Sequence, residues 1–187
     1  LGAVILYFWR DVVLALGGIV HLLRGRQTEP GAQLAMGLII ATIPVIIFGL
    51  FLSLTGLDDA LRSIAVIGWT MLIFGVVLYW ADQKGPRERS AESWTYRHAL
   101  IMGLWQAIAL IPGTSRSGIT ITSARFLGYD REAAARLSML MSIPTIIASG
   151  VLLGSEVIST ADAETARNGA IAVGYAFVAA LGDAEDG

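Results

Sequence analysis

Pro112-Gly113-Thr114-Ser115-Arg116-Ser117-Gly118 gathers three hydroxyls, one guanidinium and two glycines into seven residues between apolar stretches. Phosphate suits such a group. Glycines let backbone N–H groups close round an anion, a helix start just beyond adds partial positive charge, and hydroxyls donate further hydrogen bonds. Arg116 adds a permanently charged planar fork that can hold two phosphate oxygens at once. The spacing predicts that the helix starts at Ile119, with the polar string as the loop before it. The competing structural reading is that Arg116 snorkels to the surface or pairs with a buried carboxylate while the serines only cap the helix.

Other phosphate and hydrolase patterns do not match. There is no Gly-x4-Gly-Lys-Ser/Thr, and Ser117 stands where a nucleophile elbow needs its last glycine. The two histidines, His21 and His98, lie at the edges of apolar segments and read as interfacial residues. No cysteine is present, so thiolate metal sites and cysteine nucleophiles are excluded. Glu88 and Glu92 stand four apart, but in the charged loop from Asp82 to Arg97 they read as a solvated face.

The elements that must carry this loop are apolar. Hydrophobic residues make up 55% of the 187-residue chain and charged ones 15%, with a mean hydropathy of +0.67. A net charge of -2, from 13 basic and 15 acidic residues, leaves no basic face for nucleic acid. Ala32 to Gly56 is 25 residues without a charge, and Ser63 to Ala81 and Leu137 to Ser155 are 19 each. Each is long enough to cross a hydrocarbon core about 30 Å thick. Val12 to Leu23 is too short to cross alone and reads as interfacial, and a further helix begins at Asn168 and runs to Gly182 after a polar loop from Ser159 to Arg167. Arg24 and Arg26 on one side of the first span, and Lys84, Arg87, Arg89 and Arg97 after the second, put both basic loops at one membrane face, with Asp58 and Asp59 at the other. Excess Lys and Arg marks the cytoplasmic side.

Ala99 to Pro112 is apolar for only 14 residues before the polar string, and a second short run ends at Arg125. Fourteen helical residues rise roughly 21 Å, so neither leg spans. A re-entrant helix-loop-helix hairpin over about 98–128 follows, returning at Arg125 to another basic loop with Arg131 and Arg136. Irregular backbone at that depth is tolerated only where protein or a water-filled cavity surrounds it, and an unpaired arginine there costs at least about 2.5 to 3.5 kcal/mol. The expected fold class is all-α, a polytopic transmembrane helical bundle forming a single integral membrane domain over residues 1–187.

The run from Gly103-Leu104-Trp105-Gln106 through Ile111-Pro112-Gly113-Thr114-Ser115-Arg116-Ser117-Gly118 resembles the second signature of the undecaprenyl-diphosphate phosphatase (bacitracin-resistance) family. Arg131 to Ser138, Ser142-Ile143-Pro144 and the opening Leu1 to Arg10 resemble it as well. The resemblance implies a multi-pass enzyme of the bacterial inner membrane. Such an enzyme hydrolyses undecaprenyl diphosphate to undecaprenyl phosphate and inorganic phosphate, and so recycles the lipid carrier of peptidoglycan synthesis and confers bacitracin resistance. It implies Arg116, Ser115 and Ser117 as catalytic residues on the diphosphate, with Gly113, Thr114 and Gly118 shaping the substrate-binding loop. It further implies an inverted-repeat fold and a divalent cation, Mg or Ca, held by two glutamates of an earlier signature that this sequence does not contain. Leu1 is not an initiator Met, so those carboxylates are expected upstream of it, a last helix is expected to be cut off at the C-terminus, and the fragment by itself is expected to be inactive or nearly so. The implied partners are a lipid diphosphate and the membrane, and a homo-oligomer is compatible with the sequence. A polyprenyl-phosphate flippase or transporter is the alternative, since broken helices and inverted repeats are also transporter architecture. A purely structural membrane segment packed through small residues would leave Arg116 without a purpose.

Overall fold

The computed structural model describes residues 1–57, 61–160 and 172–176. The described residues form helices α1 (Gly2–Tyr7), α2 (Trp9–Leu23), α3 (Pro30–Thr55), α4 (Ile64–Lys84), α5 (Tyr96–Ile108), α6 (Arg116–Phe126) and α7 (Arg131–Thr160), with a 3-10 turn at Ala91–Ser93. The Asp58-Asp59 turn, and the helix expected from Asn168 apart from the helical residues 172–176, lie outside the described residues. So does the loop from residue 161 onward, although Ser159 and Thr160 still belong to α7.

Three of these helices, α3, α4 and residues Arg131–Gly150 of α7, are long and apolar enough to cross a membrane. The all-α, multi-pass membrane fold expected from the charge-free runs is therefore the one observed. Phe48, Phe51, Trp69, Leu72, Ile73 and Val76 all stand exposed on α3 and α4. A water-soluble domain would not leave such contiguous apolar faces bare, whereas lipid tails cover them without penalty.

Close backbone contacts set the packing. A Cβ on Gly18 would stand 1.9 Å from the Gly31 carbonyl, so α2 lies against α3, and one on Gly103 would come within 2.4 Å of the Ala41 carbonyl, so α5 does too. α6 packs between α4 and α7. The buried core joins Leu38 and Ala41 of α3, Ala99 and Met102 of α5, Ala124 of α6, Tyr129, and Ala134, Leu137, Leu140 and Met141 of α7.

Two helix starts differ from expectation. α6 begins at Arg116, not Ile119, because Ser115 Oγ accepts the Gly118 N–H at 3.2 Å as an N-cap. α7 begins at Arg131, six residues before the charge-free run, because Asp130 Oδ1 caps the Ala133 N–H at 2.7 Å. Capping residues and first turns are polar by nature, so an apolar run marks a helix start too late.

Arg125 closes the return leg in the last turn of α6, as the sequence indicated, and its exposure is 0%. The guanidinium donates to the carbonyls of Asp82 at 3.1 Å, Gly85 at 3.0 Å, Pro86 at 3.0 Å and Tyr129. The loop after α4 thus folds over the end of α6, and it is held there by Glu88 and Arg89 N–H donating to the Gly128 carbonyl and Asp130 N–H to the Arg89 carbonyl. Arg136, expected in the basic loop, leaves it. It lies in the second turn of α7, paired with Asp11 at 2.5 Å and Glu92 at 3.0 Å.

Candidate phosphate site

α5 and α6 are two legs joined by a seven-residue turn. α5 starts at the end where the α4 loop, the α6 terminus and the α7 start meet, and α6 returns to that end. Thr95 Oγ1 caps α5 through the His98 N–H at 3.3 Å. Three successive bonds tighten its last turn: Ala109 to the Gln106 carbonyl, Leu110 to Ala107 and Ile111 to Ile108, spaced three residues apart as in a 3-10 helix.

The turn then rests on α4. Thr70 Oγ1 donates to the Pro112 carbonyl at 2.7 Å. Gly113 takes a φ of +90°, and a Cβ there would stand 2.3 Å from Thr70 Oγ1 and 2.6 Å from the Ile67 carbonyl. Only glycine satisfies both the left-handed backbone and the close approach. At Gly118 a Cβ would lie 3.1 Å from Ser115 Cβ, crowding the cap.

Ser115, Arg116 and Ser117 come together at the start of α6. The two serine hydroxyls are exposed and 3.4 Å apart. Arg116 is half-buried and makes no ion pair among the described residues; among them the hydrogen bond of its guanidinium is Nη1 donating to the Ser142 carbonyl at 3.4 Å, a long bond. The N–H groups of Arg116 and Ser117 occupy the first helical positions, which have no intrahelical acceptor. Thr114 is buried, with an Oγ1 that has no partner. All six residues singled out in the sequence therefore sit on one turn and its following helix start. Together they present a guanidinium, hydroxyls and amides whose hydrogen-bonding capacity is largely unspent. The serine-cap reading holds for Ser115, but no carboxylate meets Arg116 among the described residues, so capping alone does not account for the group.

The donor set suits an anion by its chemistry, not a cation. Among the described residues no three of His, Asp and Glu come together as a metal site. Glu92, one of the four-apart glutamates, is exposed and paired with Arg136, and Glu88 is exposed. The described residues thus do not fit a divalent cation. A cavity of about 310 Å³ lies elsewhere, at the end of the bundle where Asp11, Pro30, Trp94 and Arg136 meet, and takes no part in the Arg116 site.

His98 and Gln106 have more specific places than the sequence indicated. His98, read as interfacial, is half-buried with Nδ1 at 2.7 Å from the Tyr129 hydroxyl and Nε2 at 3.2 Å from Arg89 Nη1. Burial, with Arg89 and Arg97 adding to it, holds its imidazole below the usual histidine range. Gln106 Nε2 donates to Thr145 Oγ1 at 2.7 Å, and Thr120 and Ser138 hydroxyls meet at 2.5 Å. The available signal was that Gln106 is the one polar side chain in the run from Ala99 to Pro112.

The chain matches the family model described as "Bacitracin resistance protein BacA" over residues 1–184. It is 72% identical over 181 residues to the undecaprenyl-diphosphatase of Jannaschia sp. (strain CCS1), covering 97% of this chain and 68% of that protein. Similar proteins of the same name come from Ruegeria pomeroyi, 65% identical over 181 residues with 97% and 68% covered, and from Dinoroseobacter shibae, 67% identical over 179 residues with 96% and 67% covered. A match of this extent and identity, on a multi-pass helical bundle, means that the chain belongs to the bacitracin resistance protein BacA family.

Proposed function

We propose that this protein is the membrane hydrolase its relatives are named for, releasing inorganic phosphate from undecaprenyl diphosphate at the Arg116 turn. The observation that carries the site is an arginine at a helix N-terminus, unpaired with any carboxylate among the described residues, beside exposed serine hydroxyls and first-turn amides. Overall, one water is consumed, the bond from the terminal phosphorus to the bridging oxygen breaks, inorganic phosphate is released, and undecaprenyl phosphate leaves with the bridging oxygen. Arg116 holds two oxygens of the diphosphate in its fork, and the first amides of α6 with Ser115 and Ser117 donate to the charge that develops on the transferring group. Gly113, Thr114 and Gly118 hold the turn in shape.

The hairpin is re-entrant in this reading. Its support is that the turn rests on Ile67 and Thr70, inside the α4 span, while both legs are too short to cross and begin and end at the same face. The inverted repeat implied by the family belongs to the same proposal, as does the bacterial inner membrane with the basic loops toward the cytoplasm. A divalent cation, Mg or Ca, would polarise the phosphoryl oxygens when bound. Among the described residues no cluster of three His, Asp or Glu side chains would hold it.

The test is phosphate release from a long-chain prenyl diphosphate by the purified full-length protein in detergent, with and without a divalent ion, beside Arg116→Ala and Arg116→Lys. Removing a preorganised donor lowers turnover by about 100- to 1000-fold, and lysine keeps the charge without the fork, so both variants are expected to fall, alanine further. Unchanged release by Arg116→Ala would overturn the site.

A further inference from the structure

α7 turns a polar face toward the hairpin. Ser138, Ser142 and Thr145 follow at i, i+4 and i+7, the spacing that stacks residues on one side of a helix. All three are buried. Each meets a different part of the hairpin: Ser138 Oγ meets Thr120 Oγ1 at 2.5 Å, the Ser142 carbonyl receives Arg116 Nη1 at 3.4 Å, and Thr145 Oγ1 receives Gln106 Nε2 at 2.7 Å. The first two fix α6. The third fixes α5, ten residues before Arg116 and outside the phosphate turn.

Gln106 is 1% exposed, and its Oε1 has no partner. The Thr145 hydroxyl donates its one proton to the Met141 carbonyl at 2.9 Å, so toward Gln106 it can only accept. That fixes Nε2 toward Thr145 and leaves Oε1 as a buried acceptor without a donor. As a stabilising device this is poor, because a leucine of similar volume would remove the orphaned acceptor altogether, and hydrogen bonds between membrane helices add little net stability. What a directional bond adds is register: it sets how far α5 can slide along α7, which apolar contacts leave loose. The Gln106 and Ala107 carbonyls receive the first two N–H groups of the turn, so the register of Gln106 is passed to the residues that lead to Gly113 and Arg116.

We infer that Gln106, through Thr145, is a positioning residue for phosphate release: it sets the height of the turn, and so of Arg116, against α7. The inference rests on the reading that Arg116 holds the diphosphate. A misplacement of about 1 Å at such a site lowers turnover on the order of 100-fold.

The experiment compares kcat, KM and thermal midpoint in detergent for the full-length protein and its variants Gln106→Leu, Gln106→Leu/Thr145→Val, Thr145→Ser and Arg116→Ala, with a long-chain prenyl diphosphate as substrate. The expected result is a thermal midpoint at or above wild type for both Gln106 variants, with KM within about twofold and kcat lower by about 10- to 100-fold. Thr145→Ser keeps the acceptor and is expected to retain activity. Wild-type kcat in Gln106→Leu, beside an Arg116→Ala that has lost activity, overturns the inference alone. A thermal midpoint that falls together with activity also overturns it, because the role is then structural. An active Arg116→Ala overturns the site reading and the inference with it.

Discussion

At the scale of single residues, His98 gives a consequence that no stability measurement at one pH would reveal. Arginine only donates, so Nε2 facing Arg89 is the acceptor and the Nδ1–H points to the Tyr129 hydroxyl, the neutral form of the ring. Its folded pKa is held down by burial first and by Arg89 and Arg97 next, so the unfolded chain takes up this proton before the folded one does. Stability is then full above the unfolded histidine range, about 6.5, and is lost as pH falls through it. Thermal midpoints measured between about pH 7.5 and pH 5.5 are expected to drop with acidity, and the slope to flatten in His98→Phe. The grouping of the turn residues was legible, because clustered hydroxyls, glycines and a guanidinium stand out between apolar runs. The place of His98 was not, since its partners come 9 and 31 positions away along the chain.

Among the elements, the ends of the helices carry what the apolar runs do not show. Arg125 clasps the end of α4 to the loop after α6, donating to the carbonyls of four different residues. Its Nε also lies 3.5 Å from Asp82 Oδ1, while Asp82 itself is held by Arg131 at 2.6 Å. Arg125→Met would fill similar space yet leave these acceptors buried without a donor. It is expected to lower stability by about 3 to 5 kcal/mol, read as a loss of thermal midpoint in detergent. The spans themselves were plain in the sequence: 19 to 25 residues without a charge have little else to be. Their polar first turns were not, because a capped start such as Ser115-Arg116-Ser117 looks like loop until the cap geometry is seen.

For the whole molecule, orientation and depth are the properties to test. The loop between α2 and α3, the loop between α4 and α5, and the start of α7 lie at one end, brought together where Pro30, Trp94 and Arg136 meet. Reporter fusions in the loop after Lys84 are expected to read as cytoplasmic; an external signal there would reverse the topology. By itself the sequence determined the class of protein and the three spans, and it marked out the polar turn from Pro112 to Gly118. These depend on local composition, on run length against bilayer thickness and on residue chemistry within seven positions. Only the tertiary structure decided that α6 starts at Arg116, that Arg125 is buried in a cage of carbonyls, and that Gln106 is tied to Thr145. Each of those outcomes depends on which backbone carbonyl or hydroxyl arrives from another helix, and hydropathy along one strand of sequence carries no record of that.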